Sequence, residues 1–128
     1  MRLLLDTHTL RWFLTSDPSL SLRARGSIED AANVSHVSAV SLWEVAVKFA
    51  LGKLKLPAPY ADIFPAQLQL NGFDLLPMTA GHCASLLTLP FHHRDPFDCL
   101  LLAQAKVEGM TLVTDDGQFG PYGVPVLW

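Results

Sequence analysis

Cysteine is scarce: the 128 residues contain two, Cys83 and Cys99. They form no Cys-x-x-Cys, so the cysteine-based zinc and redox motifs are missing. Both lie in helical patterns and read as buried thiols. His-Glu-x-x-His, Gly-x-Ser-x-Gly and a Gly-rich phosphate loop are also absent, which leaves zinc-protease, serine-hydrolase and phosphate-loop chemistry without a motif. His92-His93 beside Asp95 makes a poor zinc site, because adjacent side chains on an extended segment point apart. Basic residues are few: nine Lys and Arg stand against twelve Asp and Glu, for a net charge of −3. That excludes a broad basic surface, so a polyanion would need a local patch or metal ions. No apolar run is long enough to cross a bilayer. Leu3-Leu4-Leu5 meets Asp6 too early for a signal-peptide core, so a cytoplasmic protein with no membrane partner is expected.

What the chain does have is apolar bulk. Half of it is hydrophobic and the mean hydropathy is +0.29. One domain spanning residues 1–128, with a real core, is expected. The apolar excess suggests that a partner covers part of the surface. Strands are predicted at Leu3–Leu5, Val34–Val37, Phe73–Leu76, Thr111–Thr114 and Val124–Leu127. Helices are predicted at Thr9–Thr15, Ser21–Ala32, from Ser38 or Ser41 to Leu51, Tyr60–Asn71, Thr79–Leu87 and from Pro96 to Gly109. The strands are short, apolar and unalternating, the pattern of a parallel sheet covered by helices on both faces. Ligands of such sheets bind outside the strand C-terminal ends.

The acids fall at that edge. Asp6, Asp115 and Asp116 follow strands. Glu44 stands behind the Val34–Val37 strand, and Asp95 and Asp98 start the helix that is apolar almost all round. Each has a structural reading. Asp6 can cap the first helix, Ser41-Leu42-Trp43-Glu44 fits a capping box with Glu44 at N3, Asp95-Pro96 is a cap and N1 proline, and Asp116-Gly117 is a turn. Glu44 and Lys48 also form an i,i+4 pair. Taken together, six of twelve acids crowd one edge. Two carboxylates 4 Å apart repel by about 4 kcal/mol at an effective dielectric of 20, so a cluster calls for a cation. Oxygen donors favour Mg²⁺ or Mn²⁺.

The segments Leu3–His8, Ser38–Glu44, His92–Asp98 and Leu112–Asp116 resemble the PIN-domain ribonucleases, most closely the VapC-type toxins of toxin–antitoxin pairs. The resemblance runs nearly end to end, through Tyr122–Trp128. It implies a PIN-like three-layer α/β fold and Mg²⁺- or Mn²⁺-dependent endoribonuclease activity. Its four acids match Asp6, Glu44, Asp98 and Asp116, the last in a Thr-x-Asp that includes Thr114. Asp95 and Asp115 are extra acids without an assigned role. It also implies a homodimer and a small antitoxin that wraps the toxin.

On this reading Asp6, Asp98 and Asp116 hold one or two metal ions on a scissile phosphate, and Glu44 binds a second ion or orients the water. Arg94, Lys48, Lys53 and Lys55 are candidate phosphate contacts in RNA. Two other readings compete. Haloacid-dehalogenase-like phosphatases also place an Asp after the first strand and an Asp pair after a late one, but His8 stands where many need a second acid. A PIN-like scaffold without catalysis would not need all four acids.

Overall fold

The computed structural model describes residues 1–90 and 95–128. Five parallel strands, β1 (Arg2–Leu5), β2 (Val34–Ser38), β3 (Asp74–Leu76), β4 (Thr111–Val113) and β5 (Val126–Leu127), form one sheet in the order β3-β2-β1-β4-β5. The helices are α1 (Thr7–Leu14), α2 (Leu22–Glu29), α3 (Ala39–Ala50), α4 (Tyr60–Ile63), α5 (Ala66–Leu70), α6 (Ala80–Leu86) and α7 (Pro96–Glu108), and a 3₁₀ turn spans Gly117–Tyr122.

Strand β1 is the middle of the sheet, which explains its unbroken Leu3-Leu4-Leu5. Side chains alternate across a sheet, and both faces here are covered. Leu3 and Leu5 enter one core with Leu10 of α1, Ala24 of α2, Val45 of α3 and Leu68 of α5. Leu4 enters the opposite core with Leu101, Leu102 and Ala105 of α7 and with Leu112 of β4. All three leucines are fully buried, and each is worth roughly 1.5–3 kcal/mol of burial. Helix α7 ends at Gly109, whose φ of +63° is the left-handed conformation that glycine adopts freely.

Parallel register aligns the strand ends. Leu5 is paired with Val37 on one side and with Val113 on the other. The next residues, Asp6 and Thr114, therefore leave the sheet side by side, next to Ser38 at the last paired position of β2.

Several boundaries differ from the sequence expectation. Helix α1 begins two residues earlier than Thr9, because Asp6 caps it. Helix α2 stops at Glu29, where Asp30 opens a turn to Asn33, rather than at Ala32. The span Tyr60–Asn71 is two short helices, because Pro65 has no N–H to continue the first and holds Phe64 extended. Helix α3 starts at Ala39 under a Ser38 cap, which puts Glu44 in the second turn and removes the proposed capping box. Cys83 is exposed rather than buried: His82 turns inward from α6, and its neighbour turns out. Among the described residues no helix is long and apolar enough to cross a membrane.

Candidate functional site

Asp6 is the pivot of the sheet edge. Its backbone N–H donates to Val113 O, which ties it to β4, and its Oδ1 accepts the Thr9 N–H at 2.7 Å as the N-cap of α1. The residue is 5% exposed. Burial pushes its carboxyl above the ordinary 3.8, while hydrogen bonds from Thr114 and Thr9 and the nearby His8 pull it partly back. Thr114 is itself buried, and its hydroxyl also accepts the Asp116 N–H at 3.1 Å. Asp116 is half-buried and caps the 3₁₀ turn, taking the Gln118 N–H at 2.9 Å. Asp115, between them, is exposed.

The start of α7 supplies two more acids. Asp95 is the N-cap and accepts from the Phe97 and Asp98 N–H groups. Asp98 stands in the first turn and is half-buried. The cap expected at Asp95-Pro96 is thus observed. Trp43 and Phe97, each one residue before a candidate acid, meet edge to face with centroids 5.2 Å apart, joining α3 to the mouth of α7.

Glu44 is reached differently. It is buried on α3, and Thr7, the residue after Asp6, donates its hydroxyl to Glu44 Oε1 at 2.7 Å. Thr7 Oγ1 also lies 3.1 Å from Ser41 Oγ. The other oxygen, Oε2, accepts from Lys48 Nζ at 2.5 Å. Lys53 and Lys55 are exposed beyond the end of α3, and Lys55 lines an apolar cleft with Arg11 and Trp12 rather than the sheet edge. Arg94 and the pair His92-His93 lie outside the described residues.

Asp6, Glu44 and Asp116 are linked at this edge through Thr7 and Thr114, and the Trp43–Phe97 contact brings the start of α7 to α3, without closing a ready-made ligand set. Among the described residues no three carboxylate, imidazole or thiol groups are placed to hold a single ion. Asp6, Asp95 and Asp116 each commit an oxygen to a backbone N–H, as their cap and turn readings anticipated, and Glu44 commits one oxygen to the expected Lys48 and the other to Thr7. The donor set still suits a hard cation. It is all oxygen, and a buried carboxylate such as Asp6 is costly while its neighbours are mainly neutral donors.

Two contributors escape the sequence reading. Thr7 joins Asp6 to Glu44, and its only signal is its place directly after a strand-end acid. Gln104 is fully buried in α7 and accepts the Ser38 hydroxyl on Oε1; a lone amide in an apolar helix was the available signal. Ser38 in turn takes the Val40 N–H, so the cap of α3 is fastened to α7.

A stretch of 60 residues is 35% identical to Ribonuclease VapC16 of Mycobacterium tuberculosis. The match covers 47% of this chain and 43% of that protein, less than half the length of either. Among solved structures the chain is similar to VapBC2 from Rickettsia felis bound to a promoter DNA fragment, at a TM-score of 0.73 and 17% identity over 100% of this chain and 98% of that one. It is also similar to DNA-bound VapBC from Salmonella typhimurium, at a TM-score of 0.71 and 17% identity over 99% and 97%. These likenesses show the fold. The PIN domain family matches residues 3–123, nearly the whole chain. An acid-lined parallel sheet edge, the shared fold and that match agree: the chain belongs to the PIN-domain family.

Proposed function

We infer that this chain is a metal-dependent endoribonuclease acting as the toxin of a toxin–antitoxin pair in the cytoplasm. The observation that carries the reading is the convergence of acids from separate elements on one sheet edge, with Asp6 buried at its centre. Asp6, Asp98 and Asp116 would hold Mg²⁺ or Mn²⁺, with Glu44 as the fourth acid and Thr114 fixing Asp6 and Asp116. Such an ion supplies an acidified water and stabilises charge on the phosphate. The chain's own residues do the rest: Thr9 and Thr114 orient Asp6, and the Asp95 cap sets the start of α7 so that Asp98 stands at the edge. Of the candidate basic groups, Lys48 is tied to this edge through Glu44, while Lys53 and Lys55 lie beyond the end of α3 and would serve only more distant phosphates. With few of them, RNA affinity stays modest. The family match leaves the phosphatase reading without support.

The proposed partners are RNA, a cognate antitoxin and a second copy of the chain. Apolar surface is there for them. A cleft of about 350 Å³ lies between α1 and α4, lined by Trp12, Leu14, Leu56, Ile63 and Phe64 among others. Trp43 and Leu51 are exposed along α3. Expression of the chain alone should arrest growth, and co-expression of its antitoxin should restore it. Purified protein should cut RNA with Mg²⁺ or Mn²⁺ and stop in EDTA. Undiminished growth at high expression of folded protein refutes the toxin reading, and cleavage that persists in EDTA refutes the metal.

A further inference from the structure

Glu44 and Lys48 carry a conflict that the family pattern does not resolve. On the resemblance Glu44 binds a second ion or orients the water, and Lys48 is one candidate phosphate contact among several. The geometry ties the two together. Glu44 is 3% exposed, its Oε1 takes the Thr7 hydroxyl and its Oε2 takes the Lys48 ammonium. Both oxygens of the carboxylate are thus engaged within the protein. A dication on Oε2 would stand against an ammonium already there, and like charges at that range repel strongly.

Lys48 has the opposite character. Its side chain is 36% exposed, so it runs from the buried carboxylate out to solvent. An ammonium has three donors, and Glu44 Oε2 takes one. The Thr7 hydroxyl places this pair one residue from Asp6. A flexible lysine loses rotamer entropy when it must be ordered on a substrate, and a buried carboxylate at its tip has already fixed it.

We propose that Lys48 is the phosphate-binding cation of the site, and that Glu44 is a positioning residue that holds it rather than a ligand of the metal. Asp6, Asp98 and Asp116 then supply the ion's carboxylates, and Lys48 offers its remaining donors to a phosphate oxygen of the RNA. The inference rests on the ribonuclease reading of the same edge.

The test uses the full chain, Mn²⁺ alone as the binding probe in calorimetry, and a single-stranded RNA oligonucleotide as substrate. E44Q and K48M should each lower kcat by at least ~100-fold, the scale of removing one charge-stabilising donor. The double variant should be no worse than either, because the pair acts as one unit. K48R should recover most of the loss, since it keeps the charge. In calorimetry E44Q and K48M should bind Mn²⁺ within about threefold of wild type, while D98N should weaken binding by ~10-fold or more, as loss of a metal-site group does. Weakening of Mn²⁺ by E44Q to the level of D98N overturns the proposal, and so does K48M that cleaves like wild type. K48M alters a partly exposed residue and keeps the test open if E44Q does not fold. A wild type that binds Mn²⁺ but cleaves nothing refutes the ribonuclease reading, and the calorimetry of E44Q still judges Glu44. A wild type that binds no Mn²⁺ overturns both.

Discussion

Gln104 and Ser38 make the sharpest stability test of the fold. Gln104 is fully buried in α7, and its Oε1 receives the Ser38 hydroxyl at 2.5 Å. Its Nε2 lies 3.5 Å from Pro77 O and 3.4 Å from His82 Nδ1. Replacing it with leucine keeps the bulk and removes the acceptor. His82 Nδ1 keeps the Thr79 N–H at 3.0 Å and the part-buried Pro77 O loses only a long 3.5 Å contact, so the costly orphan is the buried Ser38 hydroxyl. Leaving one such donor unmet costs about 1–3 kcal/mol, so Q104L should lose about 2 kcal/mol. S38A orphans Gln104 Oε1 and also removes the α3 cap, for about 2–3 kcal/mol in total. In a chain of 128 residues, 1 kcal/mol moves Tm by roughly 3–5 °C, so each variant should melt about 6–15 °C lower. The double variant removes both partners and leaves only the lost cap and packing, about 2 kcal/mol. A coupling near 2 kcal/mol is therefore expected from urea titrations of the four proteins. Losses that add to within about 0.5 kcal/mol would refute the reasoning, since independent sites behave that way.

Other tests follow from the caps and the exposed helix face. Asp95→Ala should lose about 1 kcal/mol through its two unmet N–H groups, read by thermal melting. Asp98→Asn should melt near wild type yet lose Mg²⁺-dependent cleavage, and full activity in that variant would remove Asp98 from the site. Asp6→Asn should stabilise the metal-free protein increasingly as pH rises. The folded carboxyl is raised above 3.8 by burial, so the stability it contributes is present below that value and lost as pH climbs through the folded one, whereas asparagine keeps the cap and never ionises. Melting in EDTA from acid to neutral pH checks it, and a difference that is flat or shrinks with pH refutes it. Leu51→Glu on the exposed face of α3 should turn a sedimenting dimer into a monomer, and a wild type that is monomeric at every concentration sinks the homodimer.

Much of the architecture was legible because parallel strands buried on both faces leave unbroken apolar runs, as in Leu3-Leu4-Leu5. Helix caps were legible where one residue could serve, as at Thr79 or Asp95. Where two could serve, as with Ser38 and Ser41, local chemistry did not decide. Packing of Ser38 onto Gln104 did, and Glu44 moved a turn deeper. The break within Tyr60–Asn71 has its sequence signal in Pro65, which cannot continue a helix hydrogen-bond ladder. The candidate acids were legible by position. Their partners were not, because Thr7 to Glu44 and Ser38 to Gln104 join elements 37 and 66 residues apart, a distance no local pattern spans.

The double duty of the acids has an evolutionary edge. Asp6 and Asp116 hold helix starts, and on the proposed function they would hold the metal as well. Asparagine and serine can take over a cap, whereas alanine and larger apolar residues cannot. If the chain is the toxin proposed above, a cell selected to survive it would find two kinds of escape. Asn at Asp6 or Asp116 would leave a folded, silent protein that still occupies the proposed antitoxin. Ala or Val at the same codons leaves a chain with a loosened edge, open to proteolysis. The spectrum of survivors, sorted by soluble yield, would read out which positions the fold and the chemistry share.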